Sequence, residues 1–322
     1  MTLLSNPLFR MIAQRLALGI LLLLAISVVI FAGTELLPGD VAQTILVQSA
    51  TDEAVAHIRA ALGLDQPAYI RYFEWWGGMF TGDLGMSRAN NPPLGAMIAG
   101  RLDNTLFLAM WAAIVSVPLA VLLGMIAVHY RNGFIDKLIS MSTLGAISLP
   151  EFFIGYLFVL FFAINTNWLP SISSVYEGMP FGERMQAIVL PCGTLTLVVL
   201  AHMMRMTRAA ILNVMSSPYV ETAELKGLSP FKIIVRHAFP NAISPIINVV
   251  VLNLAYLVVG VVVVEVVFVY PGLGQLMVDH VAKRDIPVVQ ACGLIFAATY
   301  ILLNMTADIL SIISNPRLRH PK

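Results

Sequence analysis

Long apolar runs separated by shorter polar segments dominate the pattern of this chain. Six windows of roughly 20 apolar residues, a length typical of transmembrane helices, lie near 13–34, 104–128, 138–164, 186–207, 243–268 and 288–313. The third and fourth windows are interrupted by Pro150, Glu151 and Pro191. Within a helix bundle such breaks are tolerated, because neighbouring groups satisfy the freed backbone. The pattern predicts an all-α polytopic membrane protein with six transmembrane helices.

The composition agrees with this prediction. Of the 322 residues, 58% are hydrophobic and 11% are charged, whereas soluble domains carry about 25% charged residues. The formal net charge of +1 gives no indication of a nucleic-acid partner. Cys192 and Cys292 lie in apolar segments without the spacing of a disulfide framework or a metal site. We expect both to be packing residues, with no metal bound.

The distribution of lysine and arginine predicts the orientation. The apolar run 16–33 lacks a small-residue cleavage site, so we expect a retained first helix rather than a signal peptide. With both termini in the cytoplasm, the cytoplasmic segments hold Arg10, Arg15, Arg131, Lys137, Arg205, Arg208, Lys226, Lys232, Arg236, Arg317, Arg319 and Lys322. The exterior holds Arg59, Arg71, Arg88, Arg101, Arg184, Lys283 and Arg284. Four of these seven lie in the first exterior loop, which is long enough to be exempt from the positive-inside rule.

That first exterior loop, 34–103, is predicted to be structured and extracytoplasmic. Thr51 can cap a helix whose first turn carries acidic residues, and Gly63 would end it. Pro67 would open a second helix with a row of large, mostly aromatic side chains along one side, formed by Tyr69, Ile70, Phe73, Trp76 and Phe80. Such a helix lies at the membrane interface or forms a small packed cap on the bundle, and the sequence leaves both open.

A polar interruption at 219–245 separates the fourth and fifth windows. Residues 221–226 are mostly good helix formers, and Gly227 suits the position after a helix that needs positive φ. Ser229 can cap a second helix with Pro230 in its first turn, and Pro240 is expected to limit that helix. We predict a helix–turn–helix on the cytoplasmic side.

This interruption resembles the cytoplasmic-loop signature of permease subunits in binding-protein-dependent ABC importers. That signature reads E-A-A, three residues, G, nine residues, I-x-L-P, and the chain matches it at Glu221, Ala223, Gly227 and Pro240. Thr222 replaces the middle alanine, and His237 and Phe239 replace the aliphatic positions. Further segments resemble the dipeptide/oligopeptide/nickel subfamily, so that the resemblance covers nearly the whole chain: 37–40, 63–67, 82–85, 168–170, 268–274, 284–287 and 315–319.

The resemblance implies a transmembrane permease subunit that forms half of a translocation pathway. Its partners would be a homologous permease subunit, two cytoplasmic ATPase subunits, an extracytoplasmic binding protein and the lipid bilayer, in a bacterial or archaeal inner membrane. The chain would divide into the first helix with its extracytoplasmic loop (1–103), a five-helix core with a cytoplasmic coupling helix in the loop 207–242 (104–313), and a cytoplasmic tail (314–322). The residues implied in ATPase coupling are Tyr219, Glu221, Thr222, Ala223, Lys226, Gly227, Ser229, Arg236, His237 and Pro240.

Polar residues within the windows are costly in a membrane and are usually paired or functional. Asn253 and Glu265 in the fifth window are candidates for the pathway or its outer gate, although Glu265 lies near the exterior end and could be solvated there. Asp308 lies near the cytoplasmic end of the last window, and we expect an ion pair with Arg205 or Arg208, or with Arg236. A hydrated Asp308 is the alternative.

The chain is not expected to be an enzyme. It has no Gly-Lys dipeptide and hence no Walker A phosphate loop, and it has neither H-E-x-x-H nor G-x-S-x-G. ATP and Mg²⁺ would therefore bind partner subunits and no cofactor would bind this chain. An exporter or channel subunit is the runner-up, and a membrane enzyme is a distant third. For the cargo, peptides come first, with nickel chelates, opines, glutathione and oligosaccharides as alternatives.

Overall fold

The computed structural model describes residues 7–36, 51–61, 63–88 and 92–314. Across these ranges the chain is helical and contains no β-strand. The predicted marks at 37–40 and 315–319, and the tail beyond Ser314, lie outside the described residues. The twelve α-helices found there are α1 (Pro7–Glu35), α2 (Asp52–Ala61), α3 (Ala68–Thr81), α4 (Leu94–His129), α5 (Phe134–Ser148), α6 (Glu151–Phe158), α7 (Phe181–Met215), α8 (Pro218–Leu225), α9 (Pro230–Ile233), α10 (Phe239–Val267), α11 (Leu273–Ala282) and α12 (Ile286–Ser314).

Among the described residues, five helical stretches are long and apolar enough to cross a membrane, and there are six if a bent pair counts as one span. The bent pair is α5 with α6, which continues as a π-helical segment to Asn165, and the bend is 105°. The third window is therefore a bent pair of helices rather than one straight helix, and the break lies at Pro150, where the apolar pattern is interrupted. Leu149, which precedes Pro150, is extended with φ −97° and ψ 137°, because the proline ring disfavours the α conformation before it. Pro191, in contrast, lies inside the unbroken α7.

The chain forms two compact units. The first contains 1–20, 106–270 and 299–322, and its core packs α4, α7 and α10 side chains around Leu195, Met203 and Phe268. The second contains 21–105 and 271–298, and its core packs Leu94 and Ile98 of α4 against α11 and the start of α12. Residues 271–298, which the sequence-based division places in the five-helix core, thus group with 21–105.

The segment 34–103, predicted to be exterior, contains the two helices that the sequence predicts. The backbone N–H of Ala54 donates to Oγ1 of Thr51 at 3.3 Å, so Thr51 caps α2. Gly63, with φ +64°, ends that helix. Its N–H donates to the carbonyl of Ala60, and the N–H of Leu64 donates to the carbonyl of Arg59. The next helix, α3, begins directly after Pro67, also as predicted.

One edge of α3 packs against the outer part of α1. Arg71 forms a bidentate ion pair with Glu35, with N–O distances of 2.8 and 2.7 Å. About two turns before Glu35 on α1, Ser27 is the next contact. The indole N–H of Trp76 donates to both Ser27 Oγ and Tyr72 Oη, at 3.0 and 2.8 Å. The other edge exposes Tyr69, Phe73 and Phe80. The helix therefore has one packed edge and one exposed aromatic edge.

Candidate functional site

The cytoplasmic-loop signature folds as the short helix α8 with a glycine-dependent end. Ser217 is extended, Pro218 occupies the first turn and Glu221 places an acid near the helix N-terminus, which the helix dipole favours. Gly227 has φ +75°. Its N–H donates to Glu224 at 2.9 Å and the N–H of Leu228 donates to Ala223 at 3.3 Å, which is the Schellman pattern. The predicted role of Gly227 as the residue after the helix is confirmed.

A small apolar cluster holds α8 from one side only. Val220 and Ala223 are buried against Ile233 of α9, with Met215 and Leu228 at the edge of the cluster. The opposite side presents Tyr219, Glu221, Thr222 and Lys226 to solvent, and Leu225 is 83% exposed. Ala223 therefore packs α8 against its own subunit, whereas Glu221 and Thr222 of the signature are accessible to solvent.

The second half of the signature does not form a separate helix, and the prediction that Pro240 limits it is wrong. The chain runs helically from Pro230 to Val267, with α9 joined to α10 through a π-helical segment, Ile234–Ala238. A wide π turn just before Pro240 is a known way to accommodate the missing amide donor of a proline. Asn241 Nδ2 also donates to the carbonyl of His237 at 2.8 Å, one turn back along the same helix.

The remaining residues of the implied coupling set lie on or beside this continuous helix. Ser229 occupies the N-cap position of α9, but its side chain makes no capping hydrogen bond. Arg236 and Pro240 are exposed, and His237 is half-buried. Beside them the ring of Phe231 meets His129 edge-on at 5.9 Å between centroids. The two halves of the signature are thus packed together through the contact of Val220 and Ala223 with Ile233.

The expected pairing of Asp308 with Arg205, Arg208 or Arg236 is wrong. Asp308 Oδ2 lies 2.7 Å from Nη1 of Arg15 on the first helix, and both side chains are partly exposed. A Cβ at Gly19, one turn beyond Arg15, would lie 3.3 Å from Ile301, so this glycine permits the close approach. Sequence periodicity gives the face on which Asp308 lies but not which helix packs against it.

Arg208 forms an ion pair with Asp136 instead. Its Nε and Nη2 donate to the two oxygens of Asp136, at 2.9 and 2.7 Å. Arg205, three residues earlier on α7, is exposed. The sequence reasoning did not single out Asp136, although an acid in the first turn of a predicted helix just after a cytoplasmic segment was the available signal.

The two pathway candidates in α10 differ in environment. Asn253 is half-buried, and its Nδ2 donates to the carbonyl of Val249 on its own helix at 2.7 Å. Glu265 is fully buried, so the alternative that it is solvated at the exterior end does not describe this chain. The structure does not bring these two residues together, since they lie three turns apart on α10.

In the second unit, the mark at 284–287 contacts residues that follow the mark at 82–85, although the two are far apart in sequence. Ser87 Oγ donates to Oδ2 of Asp285, and the backbone N–H of Arg88 donates to Oδ1 of the same carboxylate at 3.1 Å. Nearby, the amide of Leu273 donates to Thr105 Oγ1 at 2.8 Å. No local sequence signal indicates these contacts, because Ser87 and Asp285 are 198 residues apart in the sequence.

A cavity of about 620 Å³ lies beside this carboxylate within the second unit. Its charged lining includes the Glu35–Arg71 pair, Glu74 and Arg88, with Trp75 as an aromatic wall. Burial lowers the pKa of the Arg88 guanidinium, and the nearby Asp285 carboxylate opposes that shift. Among the described residues no group of three or more His, Cys, Asp or Glu side chains could hold a metal ion.

Comparisons with known proteins match nearly the whole chain. Residues 116–320 match the family described as binding-protein-dependent transport system inner membrane component. Residues 8–109 match the N-terminal family of such membrane components. The first match alone covers more than half of the sequence.

Individual relatives extend over the same length. A probable peptide ABC transporter permease protein, y4tP of Sinorhizobium fredii, is 34% identical over 311 residues, covering 96% of this chain and 99% of the relative. The glutathione transport system permease protein GsiC of Escherichia coli K12 is 35% identical over 298 residues, covering 92% and 95%. A solved inward facing structure of the MetNI methionine ABC transporter matches with a TM-score of 0.49 and 19% identity, over 67% of this chain and 93% of that chain.

Proposed function

Because this chain belongs to the family of inner membrane components of binding-protein-dependent transport systems, and so is a transmembrane permease subunit of an ABC importer, we propose how its parts serve import. It forms half of a translocation pathway together with a homologous permease subunit. Two cytoplasmic ATPase subunits and an extracytoplasmic binding protein complete the assembly. Both termini lie in the cytoplasm, and ATP with Mg²⁺ binds only the partner subunits.

The observation that carries the coupling proposal is the one-sided anchoring of α8. Val220 and Ala223 hold the helix to its own subunit, while Tyr219, Glu221 and Leu225 remain exposed on the other side. An exposed apolar side chain flanked by charged ones suits a protein interface. We assign this surface to one ATPase subunit, with Thr222, Lys226, Arg236 and His237 on or beside it and Gly227 setting its shape.

The connections of α8 indicate how its motion would reach the membrane. It follows α7 after two residues, Ser216 and Ser217, and it packs on the helical stretch that continues from Pro230 to Val267. A displacement of α8 is therefore transmitted to two spanning helices that move as rigid bodies. ATP binding closes the ATPase dimer and turns the pathway outward, because ATP makes different contacts in the two states.

Cargo and the extracytoplasmic parts complete the proposal. Peptides are the first candidate cargo, supported by the name of the Sinorhizobium relative, and glutathione is supported by the name of the Escherichia coli relative. Nickel chelates, opines and oligosaccharides remain alternatives because the binding protein, another chain, selects the cargo. We place α2 and α3 on the extracytoplasmic side, where the binding protein docks, and Asn253 and Glu265 in the fifth spanning helix near the pathway or gate.

Site-specific photocrosslinking tests the coupling proposal. A photoreactive amino acid at Leu225, on the exposed side of α8, should give an adduct with the ATPase subunit in the assembled complex. Trp168, which is similarly exposed at 72% but lies in the segment predicted to be exterior between the third and fourth windows, is the matched control and should give none. An ATPase adduct from Trp168, or its absence from Leu225 in an intact complex, would refute the assignment.

A further inference from the structure

The carboxylate of Glu151 lies at the bend between α5 and α6. Glu151 is the first residue of α6 and is half-buried. Its Oε1 accepts a hydrogen bond from the hydroxyl of Tyr256 on α10, at 3.0 Å. The contact fixes the direction of the carboxylate.

Gly260 makes room for this carboxylate. It lies four residues after Tyr256 and so on the same face of α10. A Cβ at position 260 would lie 3.2 Å from Oε2 of Glu151, which is tighter than ordinary van der Waals contact. Glu151, Tyr256 and Gly260 therefore form one recess built from two helices, which we call the Glu151 recess.

The Glu151 recess lies deep within an apolar segment, where a charged side chain needs a physical reason to be present. Tyr256 lies at the centre of the apolar window 243–268, and ionisable groups at such depth are costly unless they are paired or face water or a ligand. Within the part of the chain that the structure describes, no lysine or arginine forms an ion pair with Glu151. Its hydrogen-bond partner Tyr256 is a neutral group that is itself 48% exposed. The negative charge is thus left without a compensating cation.

We propose that the Glu151 recess is a cation-binding point in the translocation pathway that receives the protonated amine of the cargo. The Glu151 carboxylate attracts the ammonium group, and the Tyr256 hydroxyl orients the carboxylate. The exposed ring of Tyr256 offers its face to the same cation. This inference rests on the proposed pathway role of the chain and names a chemical class for its cargo: peptides with a free N-terminus or other amine-bearing solutes. The competing structural reading is a neutral Glu–Tyr brace against lipid.

Cysteine modification in the assembled importer tests the charge directly. Cys192 and Cys292 are buried and are replaced by alanine, and Val259, 53% exposed beside Gly260, is replaced by cysteine. A trimethylammonium and a sulfonate methanethiosulfonate reagent are then compared. Val259 lies three residues after Tyr256 and so on the same face of α10. Because the negative charge of Glu151 attracts the cationic reagent and repels the anionic one, we expect the cationic reagent to react roughly tenfold faster. Glu151→Gln, which keeps the shape and the acceptor for Tyr256, should abolish that preference.

Competitors and a control position complete the experiment. Dialanine should slow modification by the cationic reagent, whereas N-acetyl-dialanine, which lacks the ammonium group, should not. Val269→Cys, exposed after the end of α10, should show the same reagent ratio with and without Glu151→Gln. Equal rates for both reagents at position 259, no reaction there while position 269 reacts, or equal effects of the two dipeptides would each overturn the proposal. These rates need no ATP, so failure of the coupling proposal would be seen separately in the crosslinking of Leu225.

Discussion

Arg208 and Asp136 join the start of α5 to α7 through two parallel hydrogen bonds of 2.9 and 2.7 Å. The Asp136 side chain is only 6% exposed. Its Oδ2 also accepts the backbone N–H of Asn132 at 3.0 Å, a residue with φ +63°. One carboxylate therefore stabilises an unusual turn and fixes the helix that leads, ten residues after Arg208, into α8.

The Arg208–Asp136 pair is predicted to stabilise the subunit and to keep transport coupled to ATP hydrolysis. Asp136→Asn should reduce the free energy of unfolding by about 1.5–3 kcal/mol, the usual contribution of a hydrogen bond to a charged group. Thermal unfolding of the purified chain in detergent and uptake in vesicles are the measurements. Glu177→Gln, at an exposed loop carboxylate, is the control. If Asp136→Asn unfolds and transports like wild type, the pair has neither role.

Gly227→Leu should impair transport while membrane insertion survives. No atom lies within 4 Å of a Cβ at this position, so the cost is the left-handed backbone itself, about 1–2 kcal/mol for an ordinary L-residue. Gly227→Asn is the matched control, because asparagine tolerates this conformation far better than leucine. Uptake should follow the order glycine, asparagine, leucine. Equal uptake by the leucine and asparagine variants would show that the backbone conformation is not what matters.

Asp285→Ala should destabilise the second unit. The substitution leaves the buried Ser87 hydroxyl and the Arg88 N–H without the acceptor that the carboxylate provides, at a cost of about 1–3 kcal/mol for each unsatisfied group. The measurement is the melting temperature of the chain in detergent, with Asp52→Ala, at an exposed carboxylate of α2, as the control. A melting temperature equal to that of the control variant would contradict this role.

The orientation in the membrane can be read from cysteine labelling in cells. Ala56→Cys, on the exposed side of α2, should react with a membrane-impermeant maleimide added from outside. Glu224→Cys, exposed on α8, should react only after the cells are opened. Both native cysteines are buried and contribute little background. The reversed pattern would place both termini outside and overturn the proposed topology.

The sequence predicts helices and their ends better than their neighbours. Thr51, Gly63 and Gly227 act through their own backbone and adjacent residues, so local chemistry was enough to assign them. Pro150 signals a break, but the 105° bend depends on what packs around α5 and α6. The helix continues through Pro240 by way of a π-helical segment, and turn propensities do not predict such a segment. The partners of Asp308 and Asp285 are set by packing between residues distant in sequence, for which one sequence carries no pattern.

The most direct test of the account is uptake by a reconstituted importer. Proteoliposomes would contain this chain, its permease partner and the ATPase subunits oriented inward, with ATP enclosed and the binding protein and dialanine added outside. We predict accumulation of dialanine inside that requires ATP, the binding protein and Gly227. Accumulation that persists without the binding protein, or ATP-driven release of dialanine preloaded inside, would contradict the central claim that the chain is an importer permease coupled through α8.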